Sequence, residues 1–434
     1  MLQAKNSASA LYWRAARSAK NAIRSAKRIR FILKVRPIRT IFKKIIQLIG
    51  LLKNEIKSAV IERSNIKKLN AILAGLNNPI MIYPPYHDFD IPLYQRPQHL
   101  SMSLSAEFCY LFFSNNATDD VSHIRMIKDN LFLLPKNLYH YTLNRPFSRK
   151  KILFLYSNPL QQWEESFIEN FMKDKNLVIY DYLDDLNNEI FGHVDDESIR
   201  KHQYILGNTS VILLVTADAL LQDAKKYRSD LTNTYFIPNA VDLNKFSQRK
   251  NRVNELSFLD SKKVIGYFGA LASWLDYALI KKIATHYSQY TLLLLGLIYD
   301  KTFRTMRLDK LPNIIVKGPI KYNDLPDYAN YFDISIIPFA INKTTVATSP
   351  IKLFEYMALG KPIITTDLPE CRKYKSALVA KDHDEFLSLV DQALKISKDS
   401  EYFKIMKQEA EENTWEARAK LIMNAINENF NTQR

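Results

Sequence analysis

The sequence predicts an α/β protein: two Rossmann-like domains with parallel sheets, facing each other across a cleft and preceded by a basic helical tail. Three observations carry this prediction. From residue 79 onward, short apolar runs of strand type alternate with stretches of helical spacing, the pattern of a parallel sheet covered on both faces. The alternation stops at FIPNAVDLNKF, residues 236–246, and then restarts. The charge is uneven: residues 1–75 hold 18 Lys and Arg against Glu55 and Glu62, a surplus equal to the +16 of the whole chain, so the remainder is neutral.

At 434 residues, 47% of them apolar, the chain has room for two or three domains with cores of their own. The domains are expected at 76–238 and 239–410, with a final helical segment, 411–434, crossing back to the first. Cys109 and Cys371 are too few for a disulfide framework and no Cys/His cluster has zinc spacing, so a reducing compartment and no metal are expected. The run 45–52 is broken by Gln47 and Gly50, well short of the roughly 18 apolar residues of a membrane span. No secretory signal pattern is present.

The tail comes first. Ala15, Ala19, Ala22, Ala26, Ile29 and Leu33 recur at helical spacing among Arg14, Arg17, Arg24, Lys27 and Arg28, and Pro37 ends the pattern. A second segment sets Ile41, Ile45, Leu48, Leu52 and Ile56 beside Lys43, Lys44, Lys53 and Lys57. Basic amphipathic helices of this kind lie in the interface of an anionic membrane, so the expected location is cytoplasmic, peripheral on the inner face of the cell membrane. An organelle transit peptide or an RNA-binding arm would share the basicity. Tyr12 and Trp13 are the only aromatics before Phe31, too few to stack successive bases, which argues against nucleic acid.

In the first domain the strand-type runs are 79–83, 108–113, 131–134, 151–156, 177–181, 211–215 and 234–237; in the second they are 264–268, 290–295, 313–316, 334–337 and 362–365. Between the last two lies ATSPIKLFEYMALGKP, residues 347–362. Ser349 is a suitable N-cap, Pro350 suits the first helical position and Gly360 can end the helix in the left-handed conformation. Lys352 then falls in the first turn and Glu355 one turn on, along the same face. A cation and a carboxylate so spaced at the carboxyl edge of a sheet would divide a nucleotide between them, phosphates to Lys352 and ribose hydroxyls to Glu355. The same spacing also fits a solvated surface pair.

The order and intervals of IPNAVDLNKF, VIGYFGALASWLDYALI, FDISIIPF and TSPIKLFEYMALGKPIITT resemble the nucleotide-binding half of GT-B glycosyltransferases. In particular they resemble the group-1 or family-4-like bacterial enzymes of envelope polysaccharide synthesis, including teichuronic-acid-type and GumK-like transferases. YQRPQHL and VIYDYLDDL look like N-terminal elements of the same proteins. The resemblance implies transfer of a sugar from a nucleotide-diphosphate sugar to a lipid-linked or polysaccharide acceptor, without a required metal or other cofactor. It implies that Glu355 holds the ribose and Lys352 the diphosphate, that Ser349 and Pro350 open the helix facing that diphosphate, that Gly269 lets the backbone approach the donor, and that Phe339 borders the base.

Two departures stand out. Family-4 enzymes carry a second glutamate where this chain has Ala347, and the basic residues expected after the glycine loop are replaced by ASWLDY, residues 272–277. Both suit the GumK-like branch, in which a carboxylate of the N-terminal domain acts as base in an inverting reaction. Asp181, at the end of a buried strand, is the first expectation for that base, its carboxylate pointing into the cleft. Asp184 and Asp185 follow on the loop, where they could equally cap the next helix. His87, Arg96, Asp184, Gln98 and His99 are expected on the acceptor side, although His99 could equally be an ordinary helix residue and Arg96 could serve only to pair with an acid. A nucleotide-sugar 2-epimerase of the same fold and a non-catalytic nucleotide-binding relative are the alternatives.

Overall fold

Among the described residues, the β-branched and aromatic runs form fourteen strands in two sheets. The computed structural model describes residues 38–91, 94–117, 119–159, 163–247 and 253–432. The first amphipathic segment of the tail, 11–33, lies outside them. The chain divides into two units, Met1–Ala71 and Ile72–Arg434. A helix runs Ile38–Gly75, all but its last residues in the first unit, leaving Ile46, Ile49, Leu51, Leu52, Ile56 and Val60 exposed. Among the described residues no helix is long and apolar enough to cross a membrane.

In the second unit, the first sheet contains β1 (Ile80–Tyr83), β2 (Cys109–Ser114), β3 (Arg125–Lys128), β4 (Leu131–Pro135), β5 (Lys151–Tyr156), β6 (Leu177–Tyr182), β7 (Ile212–Val215) and β8 (Thr234–Phe236). Their spatial order is β3-β4-β2-β1-β5-β6-β7-β8, parallel except for β3. The second sheet contains β9 (Val264–Phe268), β10 (Thr291–Leu295), β11 (Ile314–Lys317), β12 (Ile334–Ile337), β13 (Ile363–Thr366) and β14 (Ala377–Ala380), in the order β11-β10-β9-β12-β13-β14 and all parallel. The central strands are buried along their whole length, as parallel strands covered by helices on both faces must be.

Sequence reasoning missed β3 and β14. β3 is RMIK, mostly exposed and carried by a hairpin whose Asn130 takes a left-handed φ of 63°. β14 is a half-buried edge strand of four residues. β3 has neither the apolar alternation nor the continuous apolar run that marks a strand, and β14, ALVA, is a short apolar run with two alanines that does not stand out from its surroundings.

The strand order reverses between β1 and β5 in the first sheet and between β9 and β12 in the second, and ligands of open α/β sheets bind outside the strand ends at such points. The link between the domains runs through Pro238 and Asn239. Val241 exchanges backbone hydrogen bonds with Asn413 and Trp415, so the chain's last helix, Trp415–Thr432, starts beside the linker. It packs on the Arg96–Leu104 helix of the first domain, where the Trp415 and His99 rings stack at 4.7 Å and 8°. Arg418 of this helix donates to the carbonyls of Pro238 and Asn239.

Candidate active site

The helix predicted around Lys352 and Glu355 forms at Ile351–Leu359. Gly360, at φ 65°, ends it as expected, its N–H and that of Lys361 bonding back to Met357 and Tyr356. Its start is shifted by one residue. Pro350, in extended conformation, is the N-cap, and Ser349 does not cap. The Ser349 hydroxyl instead accepts from the backbone N–H of Asn239 at 3.2 Å, and its carbonyl accepts from the Asn239 side chain at 2.6 Å. The interdomain linker has recruited the side chain that local sequence offered to the helix. Tyr356 anchors the helix to the sheet, its hydroxyl accepting from the N–H of Phe268 at the end of β9.

Lys352 and Glu355 both face a cavity of about 470 Å³ between the two sheets. Lys352 Nζ lies 4.8 Å from the Phe339 ring centroid and 5.6 Å from that of Tyr267, with no hydrogen-bonding or ionic partner among the described residues. Burial pushes the ammonium down to about 8, against the pull of Glu355. Burial pushes Glu355, only 5% exposed, up to about 8; Lys352 and Tyr322 offset part of that rise. Water is largely excluded from a cation and a carboxylate that face open space.

Two glycines make room for a ligand here. Gly269 has φ 134°, and a Cβ there would meet the Tyr267 hydroxyl at 2.9 Å and the Lys352 side chain at 3.2 Å. Gly296, at φ 156°, lies so close that its Cβ would stand 1.9 Å from the carbonyl oxygen of Gly269. The ends of β9 and β10 are pressed together beside Lys352, and only glycine allows it. Gly269, Phe339, Ser349 and Pro350 all contribute to the cavity wall.

The first domain supplies Tyr94, Gln95, Leu183, Asp184 and Ile190 to the same cavity. Asp181 is not among them, and the expectation that its carboxylate points into the cleft is corrected. Arg96 takes both of its oxygens, Nε to Oδ2 at 2.7 Å and Nη2 to Oδ1 at 3.0 Å, and the pair is at most 1% exposed. Burial pushes the Asp181 carboxyl up and Arg96 pulls it back. Arg96 also donates to the Pro238 carbonyl and the Asn239 side chain, so it ties the sheet end to the linker and does not meet an acceptor. His87 is likewise outside the wall, held between the Tyr83 hydroxyl at 3.0 Å and the Asp88 carbonyl at 2.9 Å, with its imidazole pushed down by burial. Gln98 is committed to the Asp88 and Phe89 carbonyls, and His99 stacks on Trp415.

Asp184 is the carboxylate that the first domain does bring to the cavity. Burial pushes its carboxyl up to about 6, helped by the charges of Asp181 and Asp185. It does not cap the next helix, Asn188–Phe191; Asn187 does, accepting from the N–H groups of Glu189 and Ile190. The Asp184 loop is clasped by the second domain: Asp185 pairs with Lys343 at 2.9 Å, Thr344 donates to Glu189 at 2.6 Å, and Asn187 donates to Thr344 at 3.2 Å.

Sequence reasoning missed Asn239, Tyr94 and Tyr322. Tyr94 and Tyr322 stack across the cleft at 5.1 Å and 20°. Asn239 stands within the quoted IPNAVDLNKF and was legible as part of the motif; the tyrosines carry no pattern of their own. Among the described residues no three His, Cys, Asp or Glu side chains are grouped to hold a metal ion.

Residues 262–399 match the family model for glycosyl transferases group 1. TuaH of Bacillus subtilis (strain 168), a protein assigned to teichuronic acid biosynthesis as a glycosyltransferase, is 29% identical over 209 residues, 46% of this chain and 52% of the relative. The chain thus spans about half the length of the curated relative it matches. Among solved structures, sucrose-phosphate synthase from Thermosynechococcus elongatus superposes with a TM-score of 0.63 at 14% identity, covering 82% of this chain and all of that one. HepE of Anabaena, in complex with UDP and glucose, gives 0.57 at 13% identity over 81% of this chain and 100% of its own. The two sheets around the cavity therefore have the GT-B fold, and residues 262–399 of the C-terminal domain are similar to glycosyl transferases group 1.

Proposed function

We propose that this protein is a metal-independent glycosyltransferase that moves a sugar from a nucleotide-diphosphate sugar to a lipid-linked or polysaccharide acceptor in cell-envelope glycan synthesis. The observation that carries the reading is the pair Lys352 and Glu355, held on one helix face in a cavity between two sheets with Asp184 on the opposite wall. Binding of UDP and glucose by a protein of the same fold supports the donor class, and the likeness to TuaH supports the envelope setting.

In this reading the diphosphate lies against Lys352 and the first N–H groups of the Ile351–Leu359 helix, whose partial positive charge favours an anion. The ribose hydroxyls donate to Glu355. The acceptor hydroxyl attacks the anomeric carbon and gives its proton to Asp184, whose raised pKa suits a base working near neutrality. The carbon–oxygen bond to the diphosphate breaks, its electron pair goes to the phosphate oxygen, and Lys352 stabilises that charge in a site with little water. Attack in line with the departing diphosphate, from the opposite face of the anomeric carbon, would make the reaction inverting.

The tail gives the enzyme a location. The Ile38–Gly75 helix exposes Ile46, Ile49, Leu52 and Ile56 among Lys43, Lys44, Lys53 and Lys57, which supports docking on the anionic inner face of the cell membrane. Each such cation contributes about 1 kcal/mol near that surface.

The test is a thermal-shift panel of UDP-, GDP-, dTDP- and CMP-sugars on the full chain. The correct donor at about 100 times its Kd stabilises the fold by about 2.7 kcal/mol. Asp184→Asn keeps that stabilisation and loses transfer about 10²- to 10⁴-fold. No response to any of the four nucleotide classes would remove the reading.

A further inference from the structure

Where the resemblance expects basic residues, this chain has ASWLDY, and the cavity shows what stands in their place. Trp274 and Tyr299 both line it, their rings 5.8 Å apart and tilted by 42°. Tyr299 is 61% exposed, although it stands within a cleft. Backbone pairing fixes both: the N–H of Tyr299 donates to the carbonyl of Leu271 at 2.9 Å, and the carbonyl of Trp274 accepts from the N–H of Ala340 at 2.9 Å. Asp300 holds the two turns together, accepting from the N–H groups of Ser273 and Thr302.

The position of the platform says what it meets. Leu275 bridges to Phe339, and the Phe339 ring centroid lies 4.8 Å from Lys352 Nζ. Trp274 therefore stands beside Lys352 in the cavity, where Phe339, expected at the nucleotide base, also lies. We infer that Trp274 and Tyr299 form a stacking platform for a pyranose ring, seated next to the diphosphate. The inference rests on the donor reading above and adds to it the way the sugar is held. One face of a pyranose is a sheet of polarised C–H bonds, which complements the negative face of an aromatic ring, and two rigid rings on a fixed turn hold it at little entropic cost. The loss of the basic residues is then an exchange of charge for sugar contact.

The ring can come from the donor or from the acceptor, and the experiment separates the two. Calorimetric titration of the full chain with UDP and UDP-glucose, and with GDP and GDP-mannose, is compared for wild type, Trp274→Ala, Tyr299→Ala and Trp274→Phe. For a donor sugar, each alanine variant weakens the sugar nucleotide about five- to tenfold and the free nucleoside diphosphate less than about twofold. Trp274→Phe recovers most of the loss. For an acceptor sugar, both nucleotide affinities hold and the acceptor KM rises by the same factor. Equal weakening of free nucleotide and sugar nucleotide overturns the platform, as does an unchanged Kd together with an unchanged acceptor KM. A wild-type chain that binds none of these probes, nor a dTDP- or CMP-sugar, overturns the donor reading and the platform together; normal wild-type binding with silent variants overturns the platform alone.

Discussion

Arg96 with Asp181 in the first domain and Lys352 with Glu355 in the second are both enclosed, and they differ in what their polar atoms touch. Arg96 and Asp181 are saturated: both carboxylate oxygens are taken, and the guanidinium also reaches the Pro238 carbonyl and the Asn239 side chain. Lys352 and Glu355 are left open, with Lys352 suspended over two aromatic faces and Glu355 aimed into a cavity. A buried charge is costly unless its hydrogen bonds are made. The first pair meets that cost within the protein and so is structural. The second leaves it unmet, and a ligand with phosphate and hydroxyl groups would supply what is missing. Completeness of the shell, more than burial or charge, separates a brace from a site.

The sharpest way to break this comparison is to halve the saturated pair. Arg96→Met leaves the Asp181 carboxylate buried without a partner and is expected to cost about 3–5 kcal/mol of stability, read by denaturant unfolding. Arg96→Met with Asp181→Leu should recover most of that loss, since an apolar pair needs no hydrogen bonds. A single variant as stable as wild type would show that the pair is not a brace.

Halving the open pair should do the opposite. Burial raises the Glu355 carboxyl to about 8, so between its unfolded value and that point the native state holds a proton that the unfolded state releases. Stability therefore falls as pH rises through this window, and Glu355→Gln removes the penalty. The variant should melt higher than wild type, with the gain larger at about pH 9 than at about pH 5. At about pH 9, where Glu355 is ionised, the variant should bind the donor nucleotide about 10- to 150-fold more weakly, the worth of a hydrogen bond to a charged group. A Glu355→Gln protein that loses stability while keeping nucleotide affinity would reverse the assignment.

The same contrast explains what the sequence made legible. Lys352, Glu355, Gly360 and the strand ends were readable because helix caps, a one-turn spacing and β-branched runs are local signals, and the structure keeps them in register. Asp181 was misread for a physical reason. Its partner Arg96 lies 85 residues away in sequence, and no local pattern reports that a strand-end carboxylate is already engaged. Ser349 failed in the same way: as a cap it was locally plausible, but Asn239, 110 residues upstream, takes its hydroxyl and carbonyl. Long-range satisfaction of polar groups decides which charged residue is free to act, and that is the part a sequence shows least.

Asp184 lies between the two extremes, and its environment gives the smallest predicted effect. Its carboxyl is raised to about 6, first by burial and then by the neighbouring charges of Asp181 and Asp185. As the base it must be ionised, so kcat/KM should rise with pH through about 6 and then level off, with no such limb in Asp184→Asn. Asp185 is in turn paired with Lys343, which is 82% exposed at its side chain. Removing that cation leaves the Asp185 charge uncompensated beside Asp184, which raises Asp184 further. The acid limb in Lys343→Ala should therefore move up by about 0.2–0.4 pH units, the scale of an exposed ion pair, and in Asp185→Asn it should move down. Opposite displacements of the limb in these two variants, with the plateau little changed, would place Asp184 at the reacting hydroxyl. A limb that stays at the same pH in both would assign the titration to another group and return Asp184 to the wall of the cavity.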